Sequence, residues 1–277
     1  MVKLLVCGAA GMLGRDLVRA AELSDHEVIA TGRAKLDVTD ADAVNRAVEA
    51  AGPEAIVNCA AYTNVDGAES EPEAAMRVNA HGARNVAAAA AAVDASVLYV
   101  STDYVFDGSK EEPYLESDEP SPLGSYGASK LAGEIDTAAV NPRHHLVRTS
   151  WLFGTGGRNF VETMLALGSG QDEVTVVSDQ VGSPTYTAHL AEGIVRVLAS
   201  DSYGLHHVAA AGQCSWYDFA VAIFDRASIS CSVVPTTTDA IGRPAPRPQY
   251  SVLATERDDA VHLPDWRAGL DDYLSER

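Results

Sequence analysis

Lysine is nearly absent from this chain: four of 277 residues, against sixteen arginines, twenty-two aspartates and seventeen glutamates. With a net charge of −19, no basic face is expected for a nucleic acid or an anionic membrane, since such partners need clustered positive charge. Cysteine is scarce as well. Cys7, Cys59, Cys214 and Cys231 show no paired spacing, and Cys7 and Cys59 close apolar runs where a free thiol behaves as a small hydrophobe. A reduced, cytoplasmic protein is expected. No apolar run approaches ~20 residues and no charged-then-apolar leader is seen, so neither a membrane span nor a signal peptide is expected. The eight histidines include the pairs His144-His145 and His206-His207. Neighbours on a strand point to opposite faces, so neither pair chelates as a unit. No metal site is expected within one chain; carboxylates meeting across a dimer interface would still suit a cation.

What is abundant is acid. A lysine-poor, carboxylate-rich composition resembles that of proteins from a high-salt cytoplasm, where the acidic surface keeps the chain solvated while salt screens its self-repulsion. The plainer reading is an ordinary acidic cytosolic protein.

Gly8-Ala9-Ala10-Gly11-Met12-Leu13-Gly14 follows the apolar run Val2–Cys7 and precedes apolar residues at helical spacing from Arg15 to Leu23. Strand, glycine turn, helix is the setting in which amides at a helix N-terminus meet a pyrophosphate and glycines let the backbone approach it. An ordinary tight turn would give the same pattern in a minority of cases. A second, independent motif is Tyr126-Gly127-Ala128-Ser129-Lys130, preceded by Ser101-Thr102-Asp103. Tyrosine and lysine four apart share one helix face. The ammonium is expected to lie close to the phenol and lower its pKa. In so lysine-poor a chain, a lysine at that spacing is hard to read as surface filler.

The first half alternates strand-like and helical patterns, which predicts an α/β fold with a Rossmann-type, doubly wound parallel sheet. Strands are expected at 2–7, 27–31, 35–38, 55–59, 96–101 and 144–149, and a long helix at 71–93 whose latter half is all alanine. Residues 1–151 form the dinucleotide-binding domain in this reading, joined by a helix at 186–200. Residues 152–277 form a smaller α/β substrate-binding cap, with helices at 159–167, 188–198, 215–227 and 266–276 and strands at 174–177 and 205–208. Residues 112–125 and 235–248 read as loops.

These motifs resemble the extended short-chain dehydrogenases/reductases, and within them the dTDP-4-dehydrorhamnose reductase family. The resemblance runs nearly end to end. It is carried by Val57–Asp66, Ser101-Thr102-Asp103-Tyr104-Val105-Phe106, Ser121-Pro122-Leu123 before Tyr126, Lys130–Glu134, Arg148-Thr149-Ser150-Trp151, Asn159-Phe160 and Asp179-Gln180. Tyr250 departs from it, standing where relatives commonly carry asparagine.

The resemblance implies NAD(P)H-dependent reduction of a nucleotide-linked 4-keto-6-deoxy sugar to its 4-hydroxy form, feeding nucleotide-sugar or polysaccharide precursor synthesis. It makes Tyr126 the acid and Lys130 the group that lowers its pKa and holds the nicotinamide ribose, while Thr102 bonds the ketone oxygen. Asp103, Tyr104 and Trp151 would contact the sugar, unless Trp151 is a strand-end aromatic that only seals the domain junction. Gly8, Gly11, Met12, Leu13 and Gly14 would line the pyrophosphate, Asp37 and Val38 the adenine edge, and Ala60, Ala61 and Thr63 the adenosine side. Asn79 is either near the active site or a satisfied buried amide. The relatives' acidic position after the second strand falls on Gly32 here. Arg33 follows, with Lys35 nearby, which favours NADPH; NADH is left open, as is a homodimer. Three alternatives share the resemblance: a nucleotide-sugar epimerase or dehydratase, a non-catalytic subunit like the regulatory subunit of methionine adenosyltransferase, and a reductase of a different keto sugar or nucleotide carrier. Dehydratases generally follow the threonine with an Asp-Glu pair, and here Tyr104 follows Asp103. An intact Thr102/Tyr126/Lys130 set disfavours the non-catalytic reading.

Overall fold

A computed structural model describes the whole chain, residues 1–277. The first apolar run forms β1 (Lys3–Cys7), in which Leu4, Leu5, Val6 and Cys7 are all buried, as a strand covered on both faces requires. It is followed by α1 (Met12–Leu23), β2 (Glu27–Thr31), α2 (Ala41–Ala51), β3 (Ala55–Asn58), β4 (Ser96–Thr102) and β5 (His144–Thr149). With Gly204–His207 these strands build one six-stranded parallel sheet, running Gly204–His207, β5, β4, β3, β1, β2 across. The strand order reverses beside β1, and at such a switch point a crevice opens at the carboxyl ends of the strands.

Each face of the sheet is sealed by helices. Leu13 and Leu17 of α1 and Leu190, Ile194 and Val197 of the helix Thr187–Leu198 close one core with Leu4, Val6 and Val57. Val44 and Val48 of α2 and Val86, Ala87 and Ala90 of the helix Gly82–Ala92 close the other with Leu5 and Ile56. The alanines keep that helix helical and let it approach the sheet closely. A separate core in the C-terminal half gathers Phe153, Phe219, Trp266 and Tyr273. Around it stand the helices Phe160–Gly168, Trp216–Ala227 and Trp266–Ser275 and a parallel ribbon of Glu173–Val177 with Ser232–Thr236. No helix is long and apolar enough to cross a membrane.

Two expectations are corrected and one is met with an irregularity. Residues 35–38 are not a strand. The amides of Lys35 and Leu36 both donate to the Gly32 carbonyl, and Asp37 Oδ1 accepts from the Thr39 amide and hydroxyl. With these groups engaged in turns no ladder forms and β2 is the sheet edge, although Leu36 and Val38 are still buried. The long helix expected at 71–93 is present and continuous over Pro72–Ala92, but its middle turn, Arg77–His81, is a π-turn, and a short unforeseen helix Val65–Ser70 precedes it. In that π-turn Asn79 accepts from the Tyr62 amide and donates to the Tyr62 carbonyl and Ser129 Oγ. It is a satisfied buried amide that ties the loop after β3 to the Tyr126 helix. Finally, the strand expected in the cap at 205–208 joins the main sheet beside β5 as Gly204–His207.

Candidate active site

The glycine turn is shaped by contacts no side chain could survive. Gly8 has φ +80°, and a Cβ there would lie 2.7 Å from the Ala60 nitrogen; a Cβ on Gly14 would lie 2.3 Å from the Gly8 carbonyl oxygen. The turn therefore packs against the loop after β3, and α1 starts directly behind it. Gly11 caps α1 without a side-chain hydrogen bond, leaving the first amides of the helix free for a ligand.

This turn floors a cleft of about 650 Å3. Gly8, Gly11, Met12, Leu13, Gly14, Arg33, Asp37, Val38, Ala60, Ala61, Thr63, Tyr126 and Lys130 all line it. The cleft thus runs from Arg33 beyond β2 to the Tyr126–Lys130 pair beyond β4. Its volume and walls fit a dinucleotide: backbone amides at the centre, one cation for a phosphate at the far end, and ionisable groups at the reacting end. Residues that sequence reading missed also line it: Tyr62 and Asn64 after β3, Val78, and Gly156, Gly157 and Arg158 from the loop after Trp151. The glycines and arginine of Gly156-Gly157-Arg158 were the available signal.

At the reacting end, Tyr126 and Lys130 sit one turn apart on the helix Ser125–Val140. That helix begins at Gly124, which supplies no cap; instead the Ser125 amide donates to Glu69 Oε1 at 2.7 Å. Lys130 is buried beneath the cleft. Its Nζ donates to the Val100 carbonyl at 2.6 Å and lies 4.0 Å from the Tyr99 ring centroid. The lowering of the Tyr126 pKa by Lys130 is not what the structure shows. Burial pushes the phenol up to about 12, and the charge of Asp103 pushes the same way while a hydrogen bond with Thr102 opposes it. Burial likewise drives the Lys130 ammonium down to about 7, with Glu134 and then Cys59 holding it up. The pair is spaced as expected, but its low-dielectric surroundings favour the neutral form of each member.

Glu134, one turn further on, is held by Ser101 Oγ and by a bidentate Arg148 at 2.9 and 2.7 Å. Arg148 in turn lies over Phe106. This ion pair is only a few per cent exposed.

The turn after β4 carries the other expected residues. Thr102 Oγ1 accepts from the Tyr104 amide at 3.2 Å and donates to Asp103 Oδ1 at 3.0 Å. Asp103 is 2% exposed and its Oδ2 accepts from Ser251 Oγ at 2.6 Å. Burial raises its carboxyl to about 7 against the pull of the Ser251 and Thr102 hydroxyls. The Tyr104 and Tyr126 rings meet edge to face at 5.9 Å. Ser251 was missed: sequence reading placed its segment in the substrate half without singling it out. Trp151 has φ +47°, stacks on Trp216 at 3.6 Å between centroids and lies against Gly182. It is half-buried at the junction with the C-terminal half, outside the cleft wall. Tyr250 donates to Gln213 Oε1. Arg247 binds Asp66, which ties the segment before Pro248 to the helix Val65–Ser70.

Fold and cleft together define an extended short-chain dehydrogenase/reductase. The family model described as the RmlD substrate binding domain matches residues 2–277, and the chain belongs to that family. It is 43% identical to a dTDP-4-dehydrorhamnose reductase of Mycolicibacterium smegmatis, over 99% of this chain and 85% of that one. It is 40% identical to the spore coat polysaccharide biosynthesis protein SpsK of Bacillus subtilis, over 100% of this chain and 98% of that one. Among solved structures, a dTDP-4-dehydrorhamnose reductase from Bacillus anthracis in complex with NADP superposes with a TM-score of 0.97 at 40% identity, covering 100% of this chain and 99% of that one.

Proposed function

We propose that this chain uses NADPH to reduce the 4-keto group of a dTDP-linked 4-keto-6-deoxy sugar to a hydroxyl. The observation that carries the reading is the single cleft that joins the glycine turn and Arg33 at one end to Tyr126 and Lys130 at the other. The reductases among its relatives, one of them solved with NADP, support both substrate class and cofactor. When bound, NADPH supplies the hydride. The amides above Gly11 hold the pyrophosphate, Arg33 faces the 2′-phosphate, and Asp37, Val38, Ala60, Ala61 and Thr63 border the adenosine half. Tyr126, kept as a neutral phenol by its surroundings, gives its proton to the ketone oxygen as the hydride arrives. Lys130 holds the nicotinamide ribose, and Thr102 fixes the ketone oxygen. Tyr104 and a Trp151 immobilised by Trp216 form the sugar end, while Asp103, expected to touch the sugar, is buried behind Thr102 with both oxygens engaged.

In the same reading residues 1–151, with the strand at 204–207 and the helix at 187–198, form the cofactor domain, the loop Gly156-Gly157-Arg158 adds to its cleft, and the rest of 152–277 closes over the sugar. The protein acts in the cytoplasm, as a homodimer, and its acidic surface suits high salt. Tyr104 after Asp103 argues against dehydratase chemistry. The test is to mix the protein with NADPH and a dTDP-linked 4-keto-6-deoxy sugar in molar salt. Equimolar loss of NADPH absorbance and of ketone supports the reading. Epimerised or dehydrated product without net NADPH consumption would overturn it.

A further inference from the structure

The Thr102 hydroxyl has one hydrogen and two lone pairs, and the structure accounts for how they are used. One lone pair receives the Tyr104 amide, and while Asp103 is ionised and can only accept, the hydrogen goes to its Oδ1. What remains is a lone pair toward the Tyr126 phenol and the cleft, and a lone pair can only accept. A ketone oxygen also only accepts, so in this arrangement Thr102 repels the atom it is expected to hold. A proton on Asp103 resolves the conflict. Its O–H would then donate to Thr102 Oγ1, its other oxygen would keep the Ser251 hydrogen bond, and the Thr102 hydrogen would be released toward the ketone. Every donor and acceptor in the chain from Ser251 to the substrate is then matched.

We propose that Asp103 serves the reduction as a neutral carboxylic acid, a positioning residue that turns the Thr102 hydrogen toward the substrate oxygen, with Ser251 opposing that state. This rests on the reductive reading above and adds no proton transfer to it: the proton delivered to the alkoxide is that of Tyr126, and Asp103 keeps its own. Both oxygens of Asp103 are hydrogen-bonded and the residue is nearly inaccessible. The titratable side chains facing this turn are Tyr104 beside it and Tyr126 from the neighbouring helix, and Arg247 bears on Tyr104 from the C-terminal segment. No cation bonds the carboxyl directly. Burial therefore dominates, and the group titrates near neutrality.

The sign follows. The active form is protonated, so the rate of hydride transfer falls as pH rises through the Asp103 pKa. Ser251 donates to the carboxylate and favours the ionised form, so Ser251→Ala should move that fall to higher pH by about one unit. Asp103→Asn fixes the donor: its amide nitrogen can donate to Thr102 Oγ1 and its oxygen can accept from Ser251. The amide does not titrate.

The experiment is single-turnover oxidation of NADPH with the dTDP-linked keto sugar, from about pH 6 to about pH 9, for the wild type, Ser251→Ala, Asp103→Asn and Asp103→Ala. The expected result is a falling alkaline limb in the wild type, displaced upward in Ser251→Ala and absent in Asp103→Asn. Asp103→Asn should keep at least about a tenth of the acid-side rate, where Asp103→Ala loses about a hundredfold. Lys130 titrates in the same window, so persistence of the limb in Asp103→Asn would assign it to Lys130 and overturn the proposal. A downward shift in Ser251→Ala, or equal damage from Asp103→Asn and Asp103→Ala, would overturn it too. Failure of the reductive reading would look different, with no NADPH oxidised by the wild type at any pH.

Discussion

Single residues at the two ends of the cleft carry separable tasks. Tyr126 is the one phenol on the Lys130 face of its helix, and its burial keeps it protonated. Tyr126→Phe should therefore lower turnover by about a hundredfold or more while leaving NADPH affinity nearly intact, as loss of a positioned acid does. Fluorescence titration of NADPH alongside turnover checks both halves, and a wild-type rate would remove Tyr126 from the chemistry. At the other end, the carboxylate that would accept from a ribose 2′-hydroxyl and repel a 2′-phosphate is missing at Gly32, and the exposed Arg33 stands next on the cleft wall. Its planar cation suits a phosphate. Arg33→Ala should raise KM for NADPH about tenfold, the worth of one charged contact, and hardly change KM for NADH. Equal losses with the two cofactors would show that Arg33 does not read the phosphate. Both residues were legible from the sequence because each belongs to a local pattern. Ser251 was not: its partner Asp103 lies far away in the chain, and nothing local marks a serine as the second ligand of a buried carboxyl.

Elements were legible where period and propensity agree, and misread where side chains capture the backbone. The buried strands β1, β3, β4 and β5 follow from their apolar runs, and the alanine helix from its propensity. The run at 35–38 looks equally strand-like, yet Gly32 and Asp37 take the amides a ladder would need. The π-turn at Arg77–His81 carries Asn79, which reaches Tyr62 and Ser129, distant partners that no helical periodicity encodes. Gly204–His207 has strand character in the sequence, but only the fold shows that β5 leaves an open edge for it. The Tyr126 helix gives the element-scale prediction. It starts at a glycine, and a carboxylate from Glu69 supplies the missing cap at the positive end of the helix. Glu69→Ala should cost about 1 kcal/mol, a fall in Tm of about 2 °C or more for a chain of this size, and should lower turnover more than NADPH affinity. Calorimetry with parallel kinetics checks this, and an unchanged Tm would mean that water caps the helix equally well.

At the scale of the whole molecule, charge is the dominant feature: 39 carboxylates against 20 lysines and arginines. Some of the acid is paired, as in Arg226 with Asp271 and Arg257 with Asp259, but exposed pairs contribute little. The one deeply buried ion pair, Arg148 with Glu134, is shielded from solvent and nearly indifferent to salt. What salt acts on is therefore the unpaired excess. That repulsion is spread over the surface and is relieved when the chain expands, so it destabilises the compact state at low ionic strength. The Debye length falls to about 3 Å at 1 M salt, shorter than the spacing of most surface carboxylates, and the repulsion is then largely screened. Salt also weakens the exposed ion pairs, but each of those is worth only about 0 to 1 kcal/mol, so relief of repulsion should outweigh that loss. The melting temperature should accordingly rise markedly between low and molar KCl at neutral pH. A smaller rise is expected near pH 4.6, the sequence pI, where protonation has already removed much of the excess. Calorimetric melts over a KCl series at the two pH values provide the measurement. A flat or falling curve at neutral pH would place the protein among ordinary acidic enzymes and remove the case for a high-salt interior.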